Sequence, residues 1–153
     1  MTERVPGPGR GTGRVVSVPK GGDVTGSAGV VSGPDSGRPE SWDDPTRGRI
    51  DFRTVFSSEE TATTRLTAGV AELPADGRLN VHRHPPAEVY HVLQGRGIVT
   101  LDGVEHPVVQ GSAVFIPGNA WHGIRNTGPS TLRVYYVLQA DGMGDVEYDF
   151  GDS

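Results

Sequence analysis

All five histidines of the chain fall between positions 82 and 122. His82 and His84 are two residues apart. On a strand that spacing puts both rings on one face, so both can reach one point. Glu88 has the same parity, although Pro85-Pro86 bends the chain before it, so parity alone does not establish convergence. His122 must arrive from another strand, behind the tight turn Pro117-Gly118-Asn119. Three neutral imidazoles and one carboxylate suit iron(II), manganese, nickel, cobalt or zinc. Four protein ligands on a six-coordinate ion leave two positions for water, oxygen or substrate. That is catalytic rather than structural geometry, because structural zinc sites are closed and mostly use thiolates. A buried carboxylate beside two histidines would be costly without a partner, and a metal removes that cost.

Strands must position these ligands. From residue 49 onward, short apolar runs alternate with turn signals such as Asp76-Gly77, Gln94-Gly95, Gln110-Gly111 and Pro117-Gly118. Strands at such spacing predict an all-β sandwich or barrel. Asp102-Gly103 is the strongest hairpin signal, since both central turn positions need positive φ. The best helix candidate is one turn at Ser57-Ser58-Glu59-Glu60, with a serine cap. No longer helical period is present.

Residues 1–48 read as a low-complexity tail before a domain at 49–153. They hold 11 of the 23 glycines and 6 of the 12 prolines. The stretch from Asp23 to Asp44 is largely polar, with one tryptophan at 42, and such a composition buries too little to offset its ordering entropy. Short β-like pieces at Val15–Val18 and Val30-Val31 are not read as strands. The glycine string lacks a Walker lysine and is not a phosphate loop.

Composition excludes several classes. Without cysteine there are no disulfides, thiolate metal sites or cysteine nucleophiles. A net charge of −5 argues against a nucleic-acid partner. No apolar run approaches the roughly 20 residues of a membrane helix, and the first residues lack a secretory signal's apolar stretch. A cytoplasmic protein is the expectation.

Two motifs carry a family resemblance. Gly77-x4-His82-x-His84-x3-Glu88-x6-Gly95 resembles the first cupin motif. Gly111-x5-Pro117-x-Asn119-x2-His122-x3-Asn126 resembles the second, and all four ligand positions are filled. The first gap is one residue short, and Asn119 stands where the pattern has glycine. The resemblance implies a jelly-roll β-barrel holding one divalent metal through His82, His84, Glu88 and His122, and often a homodimer. It also implies a metal-dependent enzyme acting on a small organic molecule. The chemistry would be oxygenase chemistry or isomerase, lyase or cyclase chemistry, with tailoring of a secondary metabolite as one setting. The alternative is a non-catalytic module that binds or senses a small ligand.

Other residues follow from parity. Tyr90 shares Glu88's face and is the acid–base candidate. Phe115, Trp121 and Tyr136 are candidates for the pocket wall. His91 should point away from the metal, His106 should be solvated, and Arg125 should lie on the surface. Arg78 and Arg83 could meet an acidic substrate at the barrel mouth. The alternation of Val146, Tyr148 and Phe150 fits an edge strand, packed on a partner subunit or frayed.

Overall fold

The computed structural model describes residues 28–152. Its strands are β1 (Arg38–Asp44), β2 (Gly48–Phe56), β3 (Thr67–Leu73), β4 (Arg78–His82), β5 (Glu88–Gln94), β6 (Arg96–Leu101), β7 (Val104–Val109), β8 (Ala113–Ile116), β9 (His122–Asn126) and β10 (Leu132–Leu138). One helical turn, α1 (Ser58–Thr61), follows β2. The strand order is β7-β6-β9-β4-β2-β3-β10-β5-β8, with β1 also paired to β2. Every ladder is antiparallel, and the sheet curls into a half-barrel of jelly-roll type. No helix among the described residues is long and apolar enough to cross a membrane.

Side-chain alternation makes this curl. Along β10, Leu132, Val134, Tyr136 and Leu138 are buried and the residues between them are half-buried. Along β2, Ile50, Phe52 and Thr54 point inward while Arg49 and Asp51 are exposed. Period-two burial of this kind turns one face of each strand to a common core. Leu73, Val99, Ile116 and Leu132 are fully buried there.

The local signals act as their chemistry requires. Asp102 and Gly103 take φ of 44° and 83°, closing the β6–β7 hairpin with Leu101 opposite Val104. The Ser57 hydroxyl accepts from the Glu60 amide at 3.2 Å and caps α1. Asn119 takes a φ of 63°, so asparagine serves where the family pattern has glycine.

One boundary moves. Arg38–Asp44 is strand β1, paired along its full length with β2. The expectation that residues up to 48 form a tail therefore fails for this stretch. Its polar residues are on an edge strand that needs few apolar anchors, and Trp42 supplies the anchor, edge-on to Phe52 at 5.2 Å and 73°. Val30 and Val31 are exposed and outside any strand. Residues 1–27, including Val15–Val18, lie outside the described residues.

Candidate metal centre

The sheet brings the four ligand candidates together from three strand ends and a loop. β4 ends at His82 and β9 begins at His122, and the two are cross-strand partners. β5 begins at Glu88. His84 sits on the loop between β4 and β5. That loop is tied to the next by the Asn119 amide, which donates to the His84 carbonyl at 2.8 Å. Gly118 makes the close approach possible, because a Cβ there would collide with the Pro85 carbonyl oxygen.

Hydrogen bonding sets the tautomers. Each Nδ1 faces a backbone carbonyl: His82 to Asn80 at 2.8 Å, His84 to Pro86 at 2.9 Å and His122 to Ala120 at 2.9 Å. A carbonyl only accepts, so each Nδ1 must carry its proton. The three rings then offer ligand nitrogens that all lie within 4.8 Å of one another. Glu88 Oε2 is 3.1 Å from His84 Nε2 and 3.2 Å from His122 Nε2. All four residues are at most 6% exposed.

Electrostatics favours a neutral His82 ring beside an anionic Glu88. Burial, with His122 beside it, holds the His82 ring down at about 4. Burial pushes the Glu88 carboxyl up, but the close approach of the His122 and His84 rings outweighs it, and the net shift is downward. Neutral imidazoles with protonated Nδ1 present lone pairs at Nε2, and the carboxylate also only accepts. Acceptors that converge in a dry site lack a proton to share, and a divalent cation resolves that conflict. The donor set thus fits a metal of the iron-to-zinc series.

A narrow cavity opens beside Glu88, with a free volume of about 40 Å³. Glu88, Tyr90, Tyr136 and Tyr148 supply its polar atoms, and the rest of its wall includes Trp42, Phe52, Ile124 and Met143. Burial, with Glu88 and Tyr148 nearby, pushes the Tyr90 hydroxyl well above the ordinary phenol value. Tyr136 is likewise pushed up to about 12 by burial, and its hydroxyl is 3.0 Å from Thr54 Oγ1.

The other pocket candidates sit elsewhere. Phe115 is 66% exposed and pairs with exposed Val89, so it faces out. Its neighbour Ile116 takes the inward position opposite Glu88, and one step of parity separates the two faces. Trp121 does not line the cavity and lies under the Arg83 guanidinium at 4.7 Å. His91 and His106 are exposed, and Arg125 pairs with Glu105 at 3.0 Å on the surface. Arg83 is held by Asp149 at 2.8 Å. Asn126 ties the end of β9 by donating to the Leu73, Pro74 and Ser130 carbonyls.

The segment around Tyr148 departs most from expectation. It packs on its own chain, over the metal centre, and not as an edge strand open to a partner. Tyr148 is 5.3 Å from the His82 ring and 5.5 Å from the His84 ring, and Phe150 is 5.3 Å from His82. Sequence reasoning missed both Tyr148 and Trp42 as wall residues. The alternation of Val146, Tyr148 and Phe150 was the available signal, but it could not say which surface the alternating face would meet.

A curled antiparallel half-barrel that gathers three histidines able to hold a metal, two at strand ends and one on a loop, defines a small β-barrel protein of jelly-roll type. The cupin-domain family profile matches residues 69–138, and the chain belongs to the cupin family. It is 41% identical over 107 residues to the dimethylsulfoniopropionate lyase DddW of Ruegeria pomeroyi, covering 70% of each chain. It is 25% identical over 93 residues to an oxalate-binding protein of Thermotoga maritima, covering 60% of this chain and 77% of that one. Among solved structures, the polyketide cyclase RemF of Streptomyces resistomycificus matches with a TM-score of 0.66 at 21% identity. That match covers 80% of this chain and 84% of the other, and it supports the fold.

Proposed function

We propose that this protein is a metal-dependent lyase acting on a small carboxylate that carries an onium leaving group, of the dimethylsulfoniopropionate type. The observation that carries the reading is four converging acceptors, His82, His84, Glu88 and His122, beside a cavity walled by aromatic rings. The similarity to the dimethylsulfoniopropionate lyase supports it.

The cavity chemistry favours such a substrate. Trp42, Phe52, Tyr136 and Tyr148 present ring faces and edges, and aromatic walls attract an onium cation. Among the described residues no lysine or arginine lines the cavity, and a substrate carboxylate would be held at the metal. When bound there, a divalent ion would polarise the substrate carboxylate and favour the phenolate of Tyr90 over the phenol.

The chain's own residues do the rest. Tyr90 lies inward on β5, opposite Tyr136, and shares the cavity with Glu88. Its role is to take the proton from the carbon next to the carboxylate. The electron pair of that C–H bond becomes the new C=C bond, and the carbon–sulfur pair leaves with the sulfur. The products are dimethyl sulfide and acrylate, with the proton held on Tyr90 until solvent removes it. The apolar wall excludes water and so strengthens each electrostatic contact in the site.

The test is a gas-phase assay for dimethyl sulfide, with metal content measured on the same sample. Dimethyl sulfide released in proportion to metal content supports the reading. A fully metal-loaded protein that releases none overturns it. A second reading, a module that binds a small ligand without turnover, is favoured by the tightness of the cavity and the similarity to an oxalate-binding protein. Stoichiometric oxalate binding without turnover would favour that reading.

A further inference from the structure

Two cavities flank Tyr148. The inner one is the apolar chamber at Glu88 and Tyr90, with a free volume of about 40 Å³. The outer one is an open vestibule of about 440 Å³, bordered by Arg83, His84, Asn119 and Asp149. Among the described residues, Tyr148 is the one that lines both. With Tyr148 in place, the chamber has room for about three or four water-sized spheres. That space is small for a substrate of more than a few heavy atoms, and an outward shift of a wall would enlarge it.

The segment carrying Tyr148 is built to move. It joins the sheet only through an isolated bridge: Arg83 N donates to Asp149 O at 2.9 Å, and Asp149 N donates to Arg83 O at 3.0 Å. The side-chain pair, Arg83 Nε to Asp149 Oδ2 at 2.8 Å, has its two partners 45% and 48% exposed. Exposed pairs of this kind hold weakly. Upstream, Val146 is buried and anchors the segment, whereas Gly151 downstream takes a φ of 72°. Inside, Tyr148 packs on rings, with Trp42 edge-on at 5.3 Å, Phe150 stacked at 6.0 Å and the two histidines, and against the hydrophobic core. Ring contacts of this sort can be broken and remade without stranding a buried polar partner.

We propose that Tyr148 is a gate between vestibule and chamber, latched by Arg83 and Asp149, and that its ring sets the size of the molecule that reaches the metal. The inference rests on the reading of the histidine cluster as the reaction site. The gate must swing outward with residues 147–150 while Val146 stays in the core. Gating of this type limits entry and release rather than the bond-breaking step.

The test uses the full chain loaded with one cobalt(II) per chain and follows metal removal by 1,10-phenanthroline. In the parent protein the rate should level off at high chelator, because opening limits it. Tyr148→Ala should remove metal about ten-fold faster or more, without levelling off, and Asp149→Ala should be faster by a smaller factor. Tyr148→Phe, which keeps the ring, should match the parent. Parent-like rates in both Tyr148→Ala and Asp149→Ala overturn the proposal. Asp149 is on the surface, so its variant carries the test if Tyr148→Ala does not fold.

A second readout needs no metal and no substrate. In a Trp121→Phe background, Trp42 is the remaining tryptophan. Asp149→Ala should raise acrylamide quenching of its fluorescence, and unchanged quenching counts against the gate. Failure to release dimethyl sulfide would sink the lyase reading and leave both gate measurements in force.

Discussion

His82 and His122 face each other across the β4–β9 ladder, with ring centroids 4.2 Å apart and planes 55° apart. Each ring is turned by its own Nδ1 bond to a carbonyl two residues before it, Asn80 or Ala120. The centre is therefore set by backbone and not by neighbouring side chains. Replacing His82 and His84 together with alanine should abolish metal binding while leaving the barrel folded. Metal analysis and circular dichroism on the same sample check this. Stoichiometric metal in that variant would remove both residues from the ligand set.

Protonation of His82 should govern the stability of the metal-free protein at mildly acid pH. In the folded state the His82 ring is held down at about 4, chiefly by burial and then by His122, against an ordinary value of 6.5. The unfolded chain therefore takes up a proton below 6.5 that the folded chain refuses until about 4. The stabilisation from a neutral His82 is present in full above the unfolded value and is lost as pH falls towards the folded one. The slope reaches about 1.4 kcal/mol per pH unit. Thermal midpoints of the metal-free protein should fall through that window, and His82→Gln should flatten the fall. A flat profile in the parent chain would show that burial does not hold the ring neutral.

Much of the site was legible because strand parity and turn chemistry are local. His82 and His84 could be put on one face from spacing, the two motifs' resemblance joined Glu88 and His122 to them, and the Asp102-Gly103 hairpin followed from its need for positive φ. The walls were not legible in the same way. Phe115 and Ile116 are adjacent, and only the register against β5 decides which of them faces Glu88. Trp42 lay in a polar stretch whose composition argued against order, yet pairing with β2 supplies the backbone bonds that composition cannot. Tyr148 meets His82 across 66 positions of sequence, and such a contact leaves no periodic trace.

Gly118 should be as necessary to the metal as a ligand. A Cβ there meets the Pro85 carbonyl, on the loop that carries His84. In Gly118→Ala the two loops must part, which strains the Asn119-to-His84 backbone bond. Metal affinity should fall by about 10- to 100-fold, as when a ligand's support is removed. Competition with a metallochromic indicator measures it, and affinity equal to the parent would show that the loops part without moving His84.

Tyr90→Phe should keep the metal and lose turnover. The ring is buried against β10, so phenylalanine fits with little repacking, and the change removes only the hydroxyl. Loss of a positioned proton acceptor should lower kcat by about 100-fold or more. Metal content equal to the parent with full activity would take Tyr90 out of the mechanism. Loss of both would instead make its hydroxyl a support for Glu88.

Trp42 and Phe115 should respond oppositely to truncation, although both are large aromatic residues on short strands. Trp42 packs edge-on against Phe52 and Tyr148 and walls the chamber. Phe115 is 66% exposed on the outer face. Trp42→Ala opens a cavity next to the core and should cost about 2–4 kcal/mol. Phe115→Ala removes a ring that water already reaches and should stay within about 0.5 kcal/mol of the parent. Urea unfolding of the two variants separates them. Equal losses would mean that the inner and outer faces of the sheet are wrongly assigned. A large loss for Phe115 that appears only at high protein concentration would instead reveal that a second copy covers the outer face.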